Sequence, residues 1–252
     1  MLISITEKCR MGCSHCMEDA KPDNENFMSF EMFKKVVDFN FQYDFTITIT
    51  GAEPTEHPMF WEFMDYLAGY IGKNNIVTVV TNGMNLSDND IPKIESLREK
   101  SNGNILWQVT NVKPYYPIQI DLNQKIFKLK EFTITTELQK LNKRGRAANH
   151  PEWHFNSKAP QCFNFRSTLR STNSLGITIS FLRGRGYFCT PKISYDGHIK
   201  CGESNLCPNV AHIDEPVDLI VKKIHDFTCD NKYCWEVLNR LSKLHRNAIG
   251  EK

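Results

Sequence analysis

Hydrophobic and polar residues follow two alternating patterns along the first part of the chain. Short runs rich in β-branched residues predict strands at residues 1–6, 45–50, 76–80, 105–112 and 132–136. Between these runs, apolar residues recur at helical spacing and predict helices at residues 29–41, 58–71, 88–100 and 121–129. Strands and helices that alternate at this length are typical of parallel strands joined by right-handed crossovers. The sequence therefore predicts an α/β fold.

Three loops of unusual composition follow the first three predicted strands. The first contains Cys9, Cys13 and Cys16, the second is Gly51-Ala52-Glu53-Pro54, and the third is Thr81-Asn82-Gly83. Parallel sheets and barrels place their chemistry at the carboxyl ends of the strands. We therefore expect these three loops to lie together on one rim.

The pattern changes after residue 150. Glycine and proline separate short strand-like pieces there, and helices are predicted at residues 215–225 and 234–245. Asp196-Gly197 is a strong tight-turn signal, so residues 189–201 predict a β-hairpin. We expect residues 1–150 to form one domain and residues 151–252 to form a small cysteine-rich extension.

Composition narrows the class of protein. Hydrophobic residues make up 40% of the chain and charged residues 24%, which excludes a disordered chain, a collagen and a coiled coil. A net charge of +2 gives no strong field for nucleic acid or acidic lipid. The N-terminus lacks a signal-peptide pattern, and no apolar run reaches the roughly 18 residues of a membrane span. We expect a cytoplasmic protein without membrane contact.

Nine cysteines are the most informative feature of the composition. The number is odd, and cytosolic cysteines serve metal binding or catalysis more often than disulfides. They form one group near the N-terminus and another in the C-terminal quarter. This distribution predicts two sites.

The N-terminal group has the spacing Cys9-x3-Cys13-x2-Cys16. Three thiolates on one loop can hold three corners of an iron–sulfur cluster or three positions around zinc. Either arrangement leaves one position open, where a small molecule can bind metal. The alternatives are a zinc site completed from elsewhere and a redox pair formed by Cys13 and Cys16.

Directly after the first strand, this cysteine loop resembles the signature loop of radical S-adenosylmethionine (radical SAM) enzymes, although His15 stands where the family usually has an aromatic residue. The loop at residues 51–54 resembles the family's Gly-Gly-Glu-Pro, with Ala52 in place of one glycine. The resemblance implies a [4Fe–4S] cluster held by Cys9, Cys13 and Cys16, with SAM chelating the fourth iron. An electron from the cluster then splits SAM into methionine and a 5′-deoxyadenosyl radical, which abstracts a hydrogen from the substrate.

The resemblance covers roughly residues 1–150 and implies contacts to SAM. The Glu53 carboxylate is expected to accept from the SAM ammonium, Gln108 and Thr110 to reach the ribose, and Arg146, in a Gly-Arg-Ala segment, to lie near the adenosine. The residues expected to bind SAM are Gly51, Ala52, Glu53, Pro54, Thr81, Asn82, Gln108, Thr110 and Arg146. The family barrel has six βα units, whereas five strands precede Gly145 here. We therefore expect a partial, abbreviated parallel β/α barrel of the radical SAM type.

The C-terminal cysteines form a hairpin pair, Cys189 and Cys201, followed by the close pair Cys229 and Cys234. This arrangement resembles the twitch and SPASM extensions of radical SAM enzymes, which bind auxiliary iron–sulfur clusters. The resemblance implies that these four thiols hold a second [4Fe–4S] cluster, with Cys207 as an alternative ligand. A structural zinc site is the other interpretation. Cys162 and Cys207 could each also be a catalytic hydrogen donor or a buried thiol, and a buried thiol is the favoured interpretation of Cys162.

The predicted function is a radical SAM enzyme that oxidises or crosslinks a peptide or protein substrate. Its electron donor would be a protein such as a flavodoxin or ferredoxin. Because the first strand starts at residue 1, we expect no leader-binding domain ahead of it. Catalytic side chains are not assigned. Four aromatic residues either line the substrate pocket or pack in the core: Trp107, Tyr115, Tyr116 and Trp153.

Two other functions remain open. One is a radical SAM dehydrogenase or rearrangement enzyme acting on a small metabolite. The other is a zinc-stabilised binding module without catalysis, in which the basic residues 143–146 and 183–185 would contact nucleic acid. The near-neutral net charge counts against nucleic acid.

Overall fold

The computed structural model describes residues 1–16, 18–43, 46–72, 75–112, 115–136, 145–150, 192–200 and 208–226. Its first five strands are β1 (Leu2–Ser4), β2 (Thr46–Thr50), β3 (Ile76–Thr81), β4 (Ile105–Thr110) and β5 (Phe132–Thr135). They lie side by side in chain order and are all parallel. Helices α1 (Phe30–Tyr43), α2 (Phe60–Tyr70) and α3 (Ile91–Lys100) connect them. The predicted α/β class with a parallel sheet is confirmed.

The helices pack on one face of this sheet through the apolar positions that predicted them. Ser29 begins α1, because its hydroxyl accepts a hydrogen bond from the backbone N–H of Met32 at 3.2 Å. Phe33 of α1 stacks on Phe63 of α2 with ring centroids 4.1 Å apart. The buried strand residues alternate along each strand, so the positions between them form a second, half-buried face that is rich in threonine.

Two predicted helices differ in the structure. Residues 121–129 were predicted to form a short α-helix, but only a 3-10 helix at Lys125–Lys128 forms. Its two buried side chains, Ile126 and Phe127, are adjacent and supply one turn of apolar contact, which is too little for a longer helix. The helix predicted at residues 88–100 is divided into a 3-10 turn, Asp88–Asp90, and α3.

The described C-terminal part consists of β6 (Lys192–Ile193), β7 (His198–Lys200), β8 (Asn209–His212) and α4 (Val217–Asp226). The hairpin predicted around Asp196-Gly197 forms between β6 and β7, and Gly197 has the positive φ of +85° that its turn requires. Strand β6 also pairs in parallel with β1, so the eight strands of the described ranges belong to one sheet. No local pattern in the sequence indicates this pairing.

Several predicted features lie outside the described residues. These are Cys162, Cys189, Cys201, Cys207, Cys229, Cys234, Trp153, residues 143–144 and 183–185, and the helix at residues 234–245. The division into domains at residue 150 stays a prediction. Among the helices of the described ranges, none has the length and apolar character needed to cross a membrane.

Candidate metal and cofactor site

The three N-terminal cysteines come together after β1. Cys9 and Cys13 are 8% and 7% exposed, Cys16 is half-buried, and all three are free thiols. Gly12, with φ at +66°, turns the backbone between the first two. Other members of the same apolar cluster are Met11, Ala20, Ala52, Met84 and Tyr116. The loop therefore places three soft donors in a water-poor setting.

Burial controls the ionisation of Cys9 and Cys13. Desolvation raises the pKa of Cys9 to about 11 and that of Cys13 to about 12, and the neighbouring thiols add to both increases. Thiolates in this setting need a cation to offset their charge, and metal ions do so.

The donor set fits an iron–sulfur cluster. Cys9, Cys13 and Cys16 are soft thiol donors that meet on one loop. In an iron–sulfur cluster, each iron takes its own thiolate. Cys9, Cys13 and Cys16 would hold three irons and leave the fourth open.

The Glu53 carboxylate lies at the junction of the second and third loops and is 1% exposed. Its Oε1 accepts hydrogen bonds from the Thr55 hydroxyl and the Thr81 hydroxyl, both at 2.6 Å, and from the Thr55 N–H at 3.2 Å. Its Oε2 accepts from the Asn82 N–H at 2.7 Å. Burial raises the pKa of Glu53, and these hydrogen bonds oppose that effect. The sequence led us to expect that Glu53 accepts from the SAM ammonium. In the structure, its carboxylate joins the second and third loops.

The backbone of the second loop lies against the first strand and its loop. Ala52 and Glu53 donate their N–H groups to the carbonyls of Thr6 and Lys8 at 3.3 and 3.0 Å. At Gly51, where φ is +125°, an added Cβ would lie 2.6 Å from Ser4 Oγ. Only glycine permits this approach. Pro54 is buried and starts the 3-10 turn Pro54–Glu56.

The third loop reaches the cysteines through Asn82. Its side-chain amide donates to Cys9 Sγ at 3.7 Å, and its Oδ1 accepts from the Met84 N–H at 2.8 Å. Thr81 and Asn82 are both buried. Hydrogen bonds to the sulfurs of a cluster tune its potential, so Asn82 is placed to influence cluster chemistry.

Strand β4 has two polar side chains on its half-buried face, and Thr110 is linked through Tyr116 to the cysteine cluster. Gln108 and Thr110 are half-buried on one face, and the hydroxyls of Thr110 and Tyr116 lie 2.5 Å apart. Desolvation raises the pKa of Tyr116. Tyr115 stacks on His15, with ring centroids 4.8 Å apart. Tyr116 packs against the cysteine cluster, whereas Tyr115 is 3% exposed and packs with Val112 and Ala147.

Trp107, the third described aromatic candidate, has a different role. It is 1% exposed and stacks on Phe132 in the core, with ring centroids 5.4 Å apart. Of the two roles that the sequence left open for it, the structure therefore shows core packing.

Arg146 contacts the cysteine loop. Its Nε donates to the carbonyl of Cys13 at 2.8 Å, and its Nη1 donates to the carbonyl of Ala20 and to Asp19 Oδ1, both at 2.9 Å. A role near adenosine was expected from the sequence. The structure shows that this guanidinium is hydrogen-bonded to backbone carbonyls of the cysteine loop.

A second cation reaches the same loop from the C-terminal hairpin. Lys192 on β6 is 1% exposed, and its Nζ lies 2.8 Å from Glu18 Oε2. Sequence reasoning missed this pair, because it depends on the pairing of β6 with β1, for which the sequence has no local signal.

Comparisons with known proteins agree with this geometry. Residues 3–105 match the family model of the Radical SAM superfamily, which supports the resemblance for this part of the chain. The antilisterial bacteriocin subtilosin biosynthesis protein AlbA of Bacillus subtilis is 31% identical over 97 residues, which are 38% of this chain and 21% of AlbA. The mycofactocin maturase MftC of Mycobacterium tuberculosis is 31% identical over 85 residues, 33% of this chain and 21% of MftC. The matches thus span about a fifth of these relatives.

A crystal structure of BtrN in complex with AdoMet and 2-DOIA resembles the whole chain. It has a TM-score of 0.55 and 12% identity, and the match covers 98% of this chain and 89% of BtrN. At this identity the likeness concerns the fold alone.

Proposed function

We propose that this chain is a radical SAM enzyme that oxidises or crosslinks a peptide or protein substrate. The observation that carries the proposal is the gathering of three free thiols, Cys9, Cys13 and Cys16, beside the loop of Glu53. These residues lie within the segment that matches the Radical SAM superfamily model.

The described residues would prepare the site in three ways. Cys9, Cys13 and Cys16 hold a [4Fe–4S] cluster, which together with SAM supplies a 5′-deoxyadenosyl radical when bound. Glu53 fixes the second and third loops relative to each other through its four hydrogen bonds. Apolar neighbours of the thiols, such as Met11 and Met84, exclude water from the open position.

The choice of a peptide or protein substrate is supported by the relatives. AlbA is named for bacteriocin biosynthesis and MftC as a maturase of mycofactocin. The two similarities cover 38% and 33% of this chain and 21% of each relative. A small metabolite as substrate is the outcome that the experiment below must distinguish.

We also propose a second [4Fe–4S] cluster in the C-terminal part of the chain. Its ligands would be Cys189, Cys201, Cys229 and Cys234, with Cys207 as an alternative. In support, the first two flank in sequence a hairpin whose end residues, Lys192 and Lys200, are paired. An electron-accepting cluster suits an oxidation or a crosslink, because the substrate radical must lose an electron. A flavodoxin or ferredoxin would supply the electron that starts the reaction.

Iron and sulfide counting on anaerobically reconstituted protein tests the two-cluster proposal. The wild type is compared with the C9A/C13A/C16A variant and with C162A as a matched control. Two clusters predict that the triple variant keeps about half of the wild-type iron and that C162A keeps all of it. Zinc without iron in the reconstituted wild type would favour the binding module over the enzyme.

Substrate class is tested with deuterium. Candidate peptides encoded beside the gene, and small polyols or amino sugars, are supplied in deuterated form together with SAM and a reductant. Deuterium in 5′-deoxyadenosine and a peptide mass lower by two hydrogens would support the proposal. Deuterium transfer from a small molecule alone would replace it with the metabolite function.

A further inference from the structure

The side chain of Arg146 forms hydrogen bonds at two points of the cysteine loop. Arg146 donates to the carbonyl of Cys13 at 2.8 Å and to the carbonyl of Ala20 at 2.9 Å. These two carbonyls lie at the two ends of the segment that contains Cys16. A single guanidinium therefore joins the backbone at Cys13 to the backbone at Ala20.

The neighbouring backbone adds to this closure. The N–H of Ala147 donates to the carbonyl of Cys16 at 3.4 Å. Within the segment, the N–H of Ala20 donates to Cys16 Sγ at 3.4 Å. A displacement of Ala20 would therefore also displace a hydrogen-bond donor of the Cys16 sulfur.

Only an arginine supplies this set of contacts. The guanidinium is planar and has five N–H donors in a fixed geometry, which here reach the two carbonyls and also Asp19 at 2.9 Å. A lysine carries the same charge, but its single ammonium cannot span the three acceptors. Geometry and charge at this position can therefore be separated by substitution.

The charge of Arg146 lies beside the proposed cluster. Its side chain is 29% exposed, so water screens the guanidinium only in part. Asp19, the carboxylate that it contacts, is 54% exposed and lies on the solvent side of the pair. A reduced iron–sulfur cluster carries one more negative charge than the oxidised form, and a nearby cation favours it.

We propose that Arg146 is a positioning residue that sets the cysteine loop for cluster binding and raises the reduction potential of the cluster. This proposal rests on the proposed function. It assigns Arg146 to the cluster loop rather than to adenosine. It also explains why a residue far along the chain is needed for a site built near the N-terminus.

Three variants separate the two effects. R146M removes both the charge and the hydrogen bonds, R146K keeps the charge alone, and K93M removes a cation on α3 that pairs with Asp90. Each protein is first checked for folding by circular dichroism and by its urea midpoint. The cluster is then followed by iron retention against a chelator, by electron paramagnetic resonance (EPR) of the reduced form, and by a redox titration.

The EPR signal that the wild type shows and the C9A/C13A/C16A variant lacks identifies the N-terminal cluster. In R146M we expect cluster retention to fall by about tenfold or more, the typical cost of losing a residue that orients metal ligands. We also expect the redox equilibrium to move toward the oxidised form by up to about tenfold, or about 59 mV for one electron. R146K should keep the wild-type potential but show weaker retention and an altered EPR line shape. K93M should match the wild type.

The outcomes distinguish this proposal from the proposed function. A wild type that binds no cluster overturns the function itself. A wild type with a normal cluster, together with R146M and R146K proteins that match it in retention, EPR line shape and potential, overturns the role of Arg146 and leaves the function standing. If R146M does not fold, R146K decides the positioning role, and D19N, which removes the anionic partner, must raise the potential.

Discussion

The carboxylate of Glu53 accepts a hydrogen bond from the Thr81 hydroxyl at 2.6 Å, inside the protein and between two loops that follow different strands. The same carboxylate accepts from the Asn82 N–H at 2.7 Å, and Asn82 in turn donates to Cys9 Sγ. A chain of hydrogen bonds therefore runs from the second loop through the third to a cysteine. This buried acid therefore contributes to the relative position of the three loops.

Replacing Glu53 by glutamine should weaken the hydrogen bonds between the second and third loops. The carboxylate accepts four hydrogen bonds, whereas an amide places two hydrogens toward groups that are themselves donors. We expect E53Q to lower the free energy of unfolding by about 1–3 kcal/mol and T81V by about 1 kcal/mol. Urea unfolding measures both, with the exposed Glu62 on α2 as the control site (E62Q). Equal stability of E53Q and E62Q would contradict this role.

Alanine substitutions at two glycines should change the stability of the protein in opposite directions. At Gly51, an added Cβ would lie 2.6 Å from Ser4 Oγ and 2.7 Å from Thr6 O, at a φ of +125°. We expect G51A to lower stability by about 1–3 kcal/mol. At Gly69, within α2, nothing lies within 4 Å of an added Cβ, and G69A should raise stability by about 0.5–1 kcal/mol. Thermal melts of the two variants check the contrast, and a neutral G51A would show that the loop does not need this close approach.

The ion pair of Arg98 and Glu131 should make stability depend on pH. Arg98 Nε and Nη2 lie 2.5 and 2.8 Å from the two oxygens of Glu131, which is 3% exposed. Desolvation raises the pKa of Glu131, but the hydrogen bonds and charge of Arg98 outweigh it, and the net pKa is lowered. An acid with a lowered folded-state pKa stabilises the fold above its unfolded pKa, about 4.3, and loses that contribution as the pH falls below it.

The E131Q variant tests this direction of the pH dependence of stability. It should be less stable than the wild type by about 1–3 kcal/mol at pH 7, because Arg98 loses its anionic partner. The difference should shrink as the pH falls from about 4.3 through the lower folded-state pKa. Urea unfolding of both proteins across this range measures it. A difference that is independent of pH would mean that the charge of Glu131 does not contribute.

The pair of Lys192 and Glu18 connects the C-terminal hairpin to the cysteine loop at 2.8 Å. Because Lys192 is 1% exposed, removing the charge of its partner should cost more than replacing the lysine by an apolar side chain of similar length. We expect E18Q to lower the free energy of unfolding by about 1–3 kcal/mol and K192M by less. Urea unfolding of cluster-free protein ranks the two variants, with K35M on α1 as a surface control. The reverse order would indicate that the pair does not lie in a water-poor setting.

The sequence predicted the parts of this molecule that depend on local pattern. The strands, the turn at Asp196-Gly197 and the cysteine spacing follow from residues close together in the chain, and the structure shows the strands and turn where they were expected. The use of Glu53 as an internal acceptor was not predicted. A carboxylate in a loop has the same sequence signature whether it faces a ligand or a neighbouring loop.

Contacts between residues far apart in the chain could not be predicted from the sequence, for a related reason. Arg146 meets the cysteine loop across more than a hundred residues, and Lys192 reaches Glu18 only because β6 pairs with β1. Neither residue has a neighbour in sequence that signals its partner. A motif predicts which residues bind a metal or cofactor. The residues that hold those ligands in position depend on the packed fold.

The most direct test of the central proposal is the anaerobic cleavage of SAM. Reconstituted wild-type protein, given SAM and a low-potential reductant, should form 5′-deoxyadenosine and methionine, both of which chromatography with mass spectrometry quantifies. The C9A/C13A/C16A variant should form neither above the level without protein, while C162A should match the wild type. A wild type that carries iron and sulfide yet forms no more 5′-deoxyadenosine than the triple variant would contradict the proposed function.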